Sequence, residues 1–172
     1  MKTLFFLLLN VSLLLAKSYE VDVANSSVEF KVRHMLFTTT QGTFEKFSGQ
    51  YTMDENTKKL LSLEGEVVIS SLSTKDSNRD EFLLSEKFFD KNKYPNMTLK
   101  LLENGIAKLT IKDVSKDVPF KIGFADKGFI MMGEISRKTF GLNFGALAET
   151  GGIAVGDSVK ISLKIIGSEK GR

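Results

Sequence analysis

The chain has no cysteine and a single histidine, His34. Without cysteine there is no disulfide, no thiolate nucleophile or metal ligand, and no lipid attached through an N-terminal cysteine, so an exported form is held by its core alone. With one histidine, any histidine-dependent triad or metal set rests on His34, and a typical zinc set has no partners for it. Proline occurs only at positions 95 and 119. Both are read at strand starts, where the missing N–H does least harm. Basic blocks are also missing: lysine and glutamate are interspersed around a formal charge of +3, which gives nucleic-acid binding no support. No serine sits in a Gly-x-Ser-x-Gly elbow. Gly141 and Gly151-Gly152 lack the strand–loop–helix setting of a phosphate cradle and are read as turn or bulge glycines.

Long hydrophobic runs are confined to the start. Lys2 precedes Leu4 to Leu15, which is apolar apart from Asn10 and Ser12, and Ala16 offers a small residue for cleavage. This is the pattern of an export signal over residues 1–16. The run is short of the about 20 apolar residues of a spanning helix, and nothing after it is long enough, so stable membrane insertion is not expected. Residues 17–172 are read as one domain in a periplasm or outside the cell.

What remains is dominated by period-2 alternation. Val28, Phe30, Val32 and His34 share one strand face, with Glu29, Lys31 and Arg33 on the other. The same pattern holds for Leu63, Gly65, Val67 and Ile69, and for Met97, Leu99 and Leu101. Asn104-Gly105 is a strong hairpin signal. It leads into Ala107, Leu109 and Ile111, then Val118, Phe120, Ile122 and Phe124, a turn at Asp126-Lys127-Gly128, and a last strand with Val159, Ile161, Leu163 and Ile165. Residues 129–135 are apolar on both faces, as in a strand covered on both sides or taking part in an interface, and a homodimer is one such arrangement. Half-apolar strands of roughly 8–10 residues joined by hairpins fit a closed antiparallel barrel or a sandwich.

One stretch breaks the alternation. Residues 73–95 carry Phe82, Phe88, Phe89 and Tyr94 in polar surroundings. Asp76 or Ser77 can cap a helix running to Leu84, Ser85 can start a second turn, and Tyr94-Pro95 returns the chain to extended form. A short helical insert near 76–90 with this much apolar surface must cover something apolar, and in an all-β chain that is the end or interior of a barrel.

The polar candidates each have a plain reading. His34 is a polar contact inside a cavity or, in the favoured reading, a hydrogen-bonded histidine on an inward face. Arg79-Asp80 could meet a ligand head group, but more often such a pair ties an insert to a barrel rim. Arg137 either meets an anionic head group at a cavity mouth or points to solvent.

Six blocks together resemble the YceI-like family. They are Tyr19-x-Val21-Asp22 with Ser26 and Val28-x-Phe30-x-Val32-x-His34; Gly42-x-Phe44-x-x-Phe47-x-Gly49; Ser73 with Arg79-Asp80, Phe88-Phe89-Asp90 and Tyr94-Pro95; Leu109-Thr110-Ile111 with Val114-Ser115-Lys116; Ile135-x-Arg137-x-x-Phe140-Gly141; and Val155-Gly156-Asp157-x-Val159. Asn25 and Phe82 stand where the family commonly has histidine, which weakens a histidine-dependent activity, and Asp113 replaces a usual glycine, which leaves that turn open.

The resemblance implies an all-β, lipocalin-like, eight-stranded antiparallel barrel with a helical insert. It also implies a long apolar pocket for a polyisoprenoid, an isoprenoid quinone or a fatty-acid derivative. Lining candidates, taken from the alternation, are Phe30, Val32, Phe44, Phe88, Phe89, Phe120, Ile122, Phe140, Ile161 and Leu163, with His34 and Arg137 as the polar pair. No catalytic residue, metal or cofactor is assigned. The expected function is a periplasmic or secreted protein that sequesters or carries a long-chain apolar or amphiphilic small molecule. The alternatives are an enzyme acting on such a lipid through His34 and a nearby carboxylate, and a ligand-free structural or stress protein with a solid barrel.

Overall fold

The computed structural model describes residues 16–34, 38–125, 128–143 and 155–169. The expected export signal therefore lies outside the described residues, except for Ala16. So do the Asp126-Lys127 turn and Gly151-Gly152.

Among the described residues there are eleven strands and one α-helix: β1 (Ala16–Val21), β2 (Ser27–His34), β3 (Thr38–Phe44), β4 (Phe47–Asp54), β5 (Lys59–Val68), β6 (Leu72–Ser73), α1 (Ser77–Leu84), β7 (Asn96–Leu101), β8 (Ile106–Ile111), β9 (Val114–Ala125), β10 (Gly128–Ser136) and β11 (Val155–Glu169). Hydrogen-bonded neighbours follow the order β1-β4-β5-β7-β8-β9-β10-β11, and β11 pairs back onto β1. This closes an eight-stranded antiparallel barrel. β2, β3 and β6 continue the staves that β1, β4 and β5 belong to. The long β11 shows the bend directly: Val159 to Lys164 pair with β2, while Gly167 to Glu169 pair with β1.

Alternation becomes an inner and an outer wall. Val28, Phe30 and Val32 face Leu163, Ile161 and Val159 across one ladder, and Phe44, Gly42 and Thr40 across the other. A side chain at Gly42 would collide with the Phe30 ring, 2.3 Å from the ideal Cβ position, so the glycine makes room for that phenyl group. Asn104 (φ 53°) and Gly105 (φ 76°) both adopt left-handed backbone in the β7–β8 hairpin, as a two-residue primed turn demands. Between β8 and β9, Ile111 faces Val114 across a two-residue turn. Lys112, not Asp113, takes the positive φ (59°) there, so this turn tolerates the missing glycine.

Three expectations change. Pro119 is not at a strand start but inside β9. It forms the Ile106 pair at the end of the β8 ladder and stands one residue before Phe120↔Gly133, where the β10 ladder begins along β9. A proline is tolerated at this handover because the ladder with β8 is ending and that with β10 is beginning. Ser85 starts the second turn through its carbonyl rather than as a side-chain cap: that oxygen accepts from the N–H groups of Phe88 (3.1 Å) and Asp90 (2.8 Å), while the hydroxyl donates to Phe82 O at 2.7 Å. Finally, β10 is not covered on both faces. Phe129, Met131 and Ile135 are buried, but Ile130 and Met132 stand on the outer wall, 37% and 55% exposed, opposite Lys164 and Lys121.

All the long inserts leave one end of the barrel, after β6 and after β10. The opposite end is packed solid. Tyr19 stacks on Tyr51 with ring centroids 4.9 Å apart, and Tyr51 meets Phe129 edge-on at 5.0 Å. Burial pushes the Tyr51 hydroxyl pKa up, and burial followed by the hydrogen bond to Glu55 does the same for Tyr19. Both phenols therefore stay neutral and act as packing groups.

Candidate functional site

Above that floor the barrel is hollow. A cavity of about 560 Å³ occupies the half toward the inserts, within the size range of small-molecule sites. One wall comes from β2, β3 and β11, through Val28, Phe30, Phe44, Ile161 and Leu163. The facing wall comes from β5, β7 and β8, through Leu63, Val67, Met97, Leu99, Leu109 and Ile111. Inward strand positions are mostly apolar, with Thr40 a polar exception, so the interior offers few hydrogen-bond partners to water.

The insert covers part of this space. Asp76 caps α1 by accepting the Arg79 N–H at 3.1 Å. Arg79 and Asp80 then pin the helix to the end of β6. Thr74 N–H donates to both Asp80 carboxylate oxygens (2.9 and 3.1 Å), and Arg79 donates from Nε to Thr74 Oγ1 (2.7 Å) and from Nη2 to Thr74 O (3.1 Å). The pair is therefore the tie between insert and barrel rim. With the helix anchored, Phe82, Phe88 and Phe89 line the cavity. Phe88 and Phe89 meet edge-on at 5.1 Å, and Phe89 meets Phe44 edge-on at 6.2 Å. Lys112 Nζ donates to Phe88 O at 3.1 Å and holds the insert from the β8–β9 turn.

Seven of the apolar candidates from the sequence come together on this cavity: Phe30, Val32, Phe44, Phe88, Phe89, Ile161 and Leu163. Three do not line it. Phe120 is buried with its ring over Gly133, where a Cβ would lie 2.7 Å from the ring. Ile122 is a partly buried core residue further along the same strand. Phe140 is 1% exposed in the 3₁₀ turn after β10. Alternation assigns a face but not a height along the barrel, so it cannot separate a cavity wall from a packed floor. The backbone of His34 pairs with Thr38 and Val155, and its side chain lies outside the described residues. The β5, β7 and β8 wall is not among the sequence candidates, although its alternation is visible in the chain.

Arg137 lines the cavity, and of its two readings the solvent-facing one does not hold. It is 6% exposed rather than pointing to solvent. Its guanidinium donates from Nε to Gly156 O (3.0 Å), from Nη1 to Leu142 O (2.6 Å) and from Nη2 to Val155 O (3.2 Å). It thus holds the two ends of the loop joining β10 to β11. Burial lowers its pKa and nearby Asp157 opposes this, but a guanidinium remains charged. Asp157 is itself held below the ordinary carboxylate value, first by the Ser136 hydroxyl at 2.7 Å and then by the Lys138 N–H at 3.1 Å.

Among the described residues no three His, Cys, Asp or Glu side chains are placed to share a metal ion, and no helix is long and apolar enough to cross a membrane.

The model of the YceI-like domain matches residues 19–166. A UPF0312 protein of Staphylococcus epidermidis is 31% identical over 157 residues, covering 83% of this chain and 92% of its own. A UPF0312 protein of Staphylococcus aureus is 30% identical over 158 residues with the same coverage. The crystal structure of Burkholderia cenocepacia BcnA superposes with a TM-score of 0.68 at 24% identity, over 86% of this chain and 99% of that one. The structure of a polyisoprenoid binding domain from Saccharophagus degradans gives 0.69 at 13% identity, over 90% and 99%. At these identities the two structures speak to the fold.

Proposed function

As this chain belongs to the YceI-like family and its barrel is hollow on the insert side, we propose that it binds one long apolar chain there, as an exported carrier or sequestering protein. The carrying observation is the cavity: about 560 Å³ lined mostly by apolar side chains, closed below by the Tyr19–Tyr51–Phe129 layer and partly covered by the anchored aromatic insert. At about 30 Å³ per water-sized group, this space takes roughly 18 non-hydrogen atoms. Each buried CH₂ contributes about 0.8 kcal/mol, so a 16-carbon chain has a gross term near 13 kcal/mol. Association and ordering costs remove a large part of it. The polyisoprenoid named for the Saccharophagus degradans domain supports a ligand of this chemical kind: a polyisoprenoid, an isoprenoid quinone or a fatty-acid derivative. Binding needs no reaction.

Export is the second part of the reading. Residues 1–16 act as a cleaved signal, and the mature chain starts at Lys17. Losing Ala16 removes one pair from β1, Ala16↔Asp54, and leaves four others with β4.

Organic extraction of protein purified from its own host, followed by mass spectrometry, tests the ligand. A stoichiometric long-chain lipid is expected; repeated extraction of clean apoprotein that also takes up no lipid refutes the carrier reading in favour of a ligand-free barrel. N-terminal sequencing of the exported material is expected to start at Lys17, and an intact Met1 in a periplasmic fraction refutes export by cleavage.

A further inference from the structure

Glycines on the inner wall of this barrel are generally covered. The Phe30 ring lies over Gly42, the Phe120 ring over Gly133, and the Tyr51 hydroxyl over Gly167, each within 2.3–2.7 Å of where a Cβ would be. Gly49 is blocked by the backbone, with Glu64 O at 2.7 Å. Gly65 is different. It lines the cavity, its φ is not positive, and a Cβ there would meet only Ser48 O at 3.5 Å, an ordinary contact. Its ladder neighbours are Gly49 on β4 and Leu99 on β7. On the β4–β5 side the cavity wall at this height is therefore bare backbone. A Cβ at this position would project toward the cavity without strain.

A glycine inside a strand is a liability, since it weakens the strand and packs nothing. Where no ring covers it and no backbone demands it, the space itself is the remaining reason for the residue. We infer that Gly65 is the specificity-determining residue of this site: by withholding a side chain it sets how long an apolar chain the barrel accepts. This rests on the binding reading above. A leucine side chain at 65 adds four carbons, roughly a fifth of the cavity at about 30 Å³ each, and excludes about the same number of ligand carbons. At about fourfold per buried methylene, a chain that fills the cavity binds roughly 200-fold more weakly to Gly65→Leu, and about fourfold more weakly to Gly65→Ala.

The test compares wild type with Gly65→Ala, Gly65→Val and Gly65→Leu. Straight-chain primary alcohols of 8 to 20 carbons are titrated at fixed salt, with melting temperature recorded for each protein. The expected result has three parts. Wild-type affinity climbs with length and then levels off; the plateau arrives progressively earlier from Ala to Leu, while the 8-carbon alcohol binds all four proteins within about twofold; and Gly65→Ala melts no lower than wild type, because alanine restricts the unfolded chain more than glycine does. Folded variants that keep the wild-type length dependence overturn the inference and leave the binding reading intact. A melting temperature for Gly65→Ala well below wild type also overturns it, since the space is then not open. Wild-type protein that binds no member of the series refutes the binding reading itself.

Discussion

Replacing Phe89 by alanine tests whether the insert is part of the barrel wall or a loop laid against it. Phe89 is 7% exposed, meets Phe88 and Phe44 edge-on, and has its N–H bonded to Leu83 O at 3.0 Å. Truncating a well-packed phenylalanine costs about 3–5 kcal/mol. Part of this ring already borders empty space, so fewer contacts are lost than in a solid core and the low end, about 3 kcal/mol, applies. Each of the two edge-on pairs contributes roughly 0.5–1.5 kcal/mol of that. For a chain of this size about 1 kcal/mol shifts the midpoint by 2–4 °C, which puts Phe89→Ala about 6–12 °C below wild type. Lys91→Ala, at an exposed position two residues on, is the control and is expected within about 2 °C. A double-mutant cycle on Phe44 and Phe89, read by thermal melts, isolates the contact across the insert–barrel boundary and is expected to return about 1 kcal/mol of coupling. Phe89→Ala melting with the Lys91→Ala control, or a coupling of zero, refutes the reasoning: the insert would then fold independently of the barrel.

Three further outcomes follow from the same geometry. In a lipid series with neutral and anionic heads, affinity is expected to rise about fourfold per carbon up to roughly 18 atoms and to change little with head charge; an affinity flat in length but lost with the charge would refute it. Arg137→Gln is expected to lower the melting temperature by at least 6 °C, since three backbone carbonyls lose a charged donor worth about 1.5–3 kcal/mol apiece before relaxation; a melt unchanged from wild type would show that the loop does not depend on it. Stability is expected to fall on acidification below about pH 4, because Asp54, Glu55 and Asp157 all titrate below their ordinary values in the folded state, chiefly through hydrogen bonds from Thr57, Tyr19 and Ser136. Depressed carboxylates stabilise the fold at neutral pH and lose that contribution as pH drops through their folded values, so urea midpoints at pH 7 and pH 3 that coincide would contradict the assignment.

Much of this architecture is local and is legible in the chain. Alternation assigns Val28, Phe30 and Val32, or Met97, Leu99 and Leu101, to one face because successive side chains on a strand point to opposite sides. Asn104-Gly105 specifies its hairpin because both positions need positive φ, and Asp76-Ser77 marks the start of α1 because either side chain can accept a free N–H of the first turn; in the folded chain Asp76 takes that role. The interruption of the pattern at residues 73–95 identifies the cover from the chain alone.

Tertiary structure decides what depends on height around a closed ring. Phe30 and Phe120 have equal claims as inward aromatics, yet one borders the cavity and the other fills the barrel over Gly133. Their separation comes from strand register and from bends in the staves, which tie residues far apart in the chain, such as Ser26 and Ile166, 140 positions apart. Arg137 follows the same rule: its partners Leu142, Val155 and Gly156 meet it only once β10 and β11 are paired. Gly65 reads in the chain as an unremarkable strand glycine. Only the closed barrel shows that no ring covers it, because an empty space is a property of everything around it and of no residue alone.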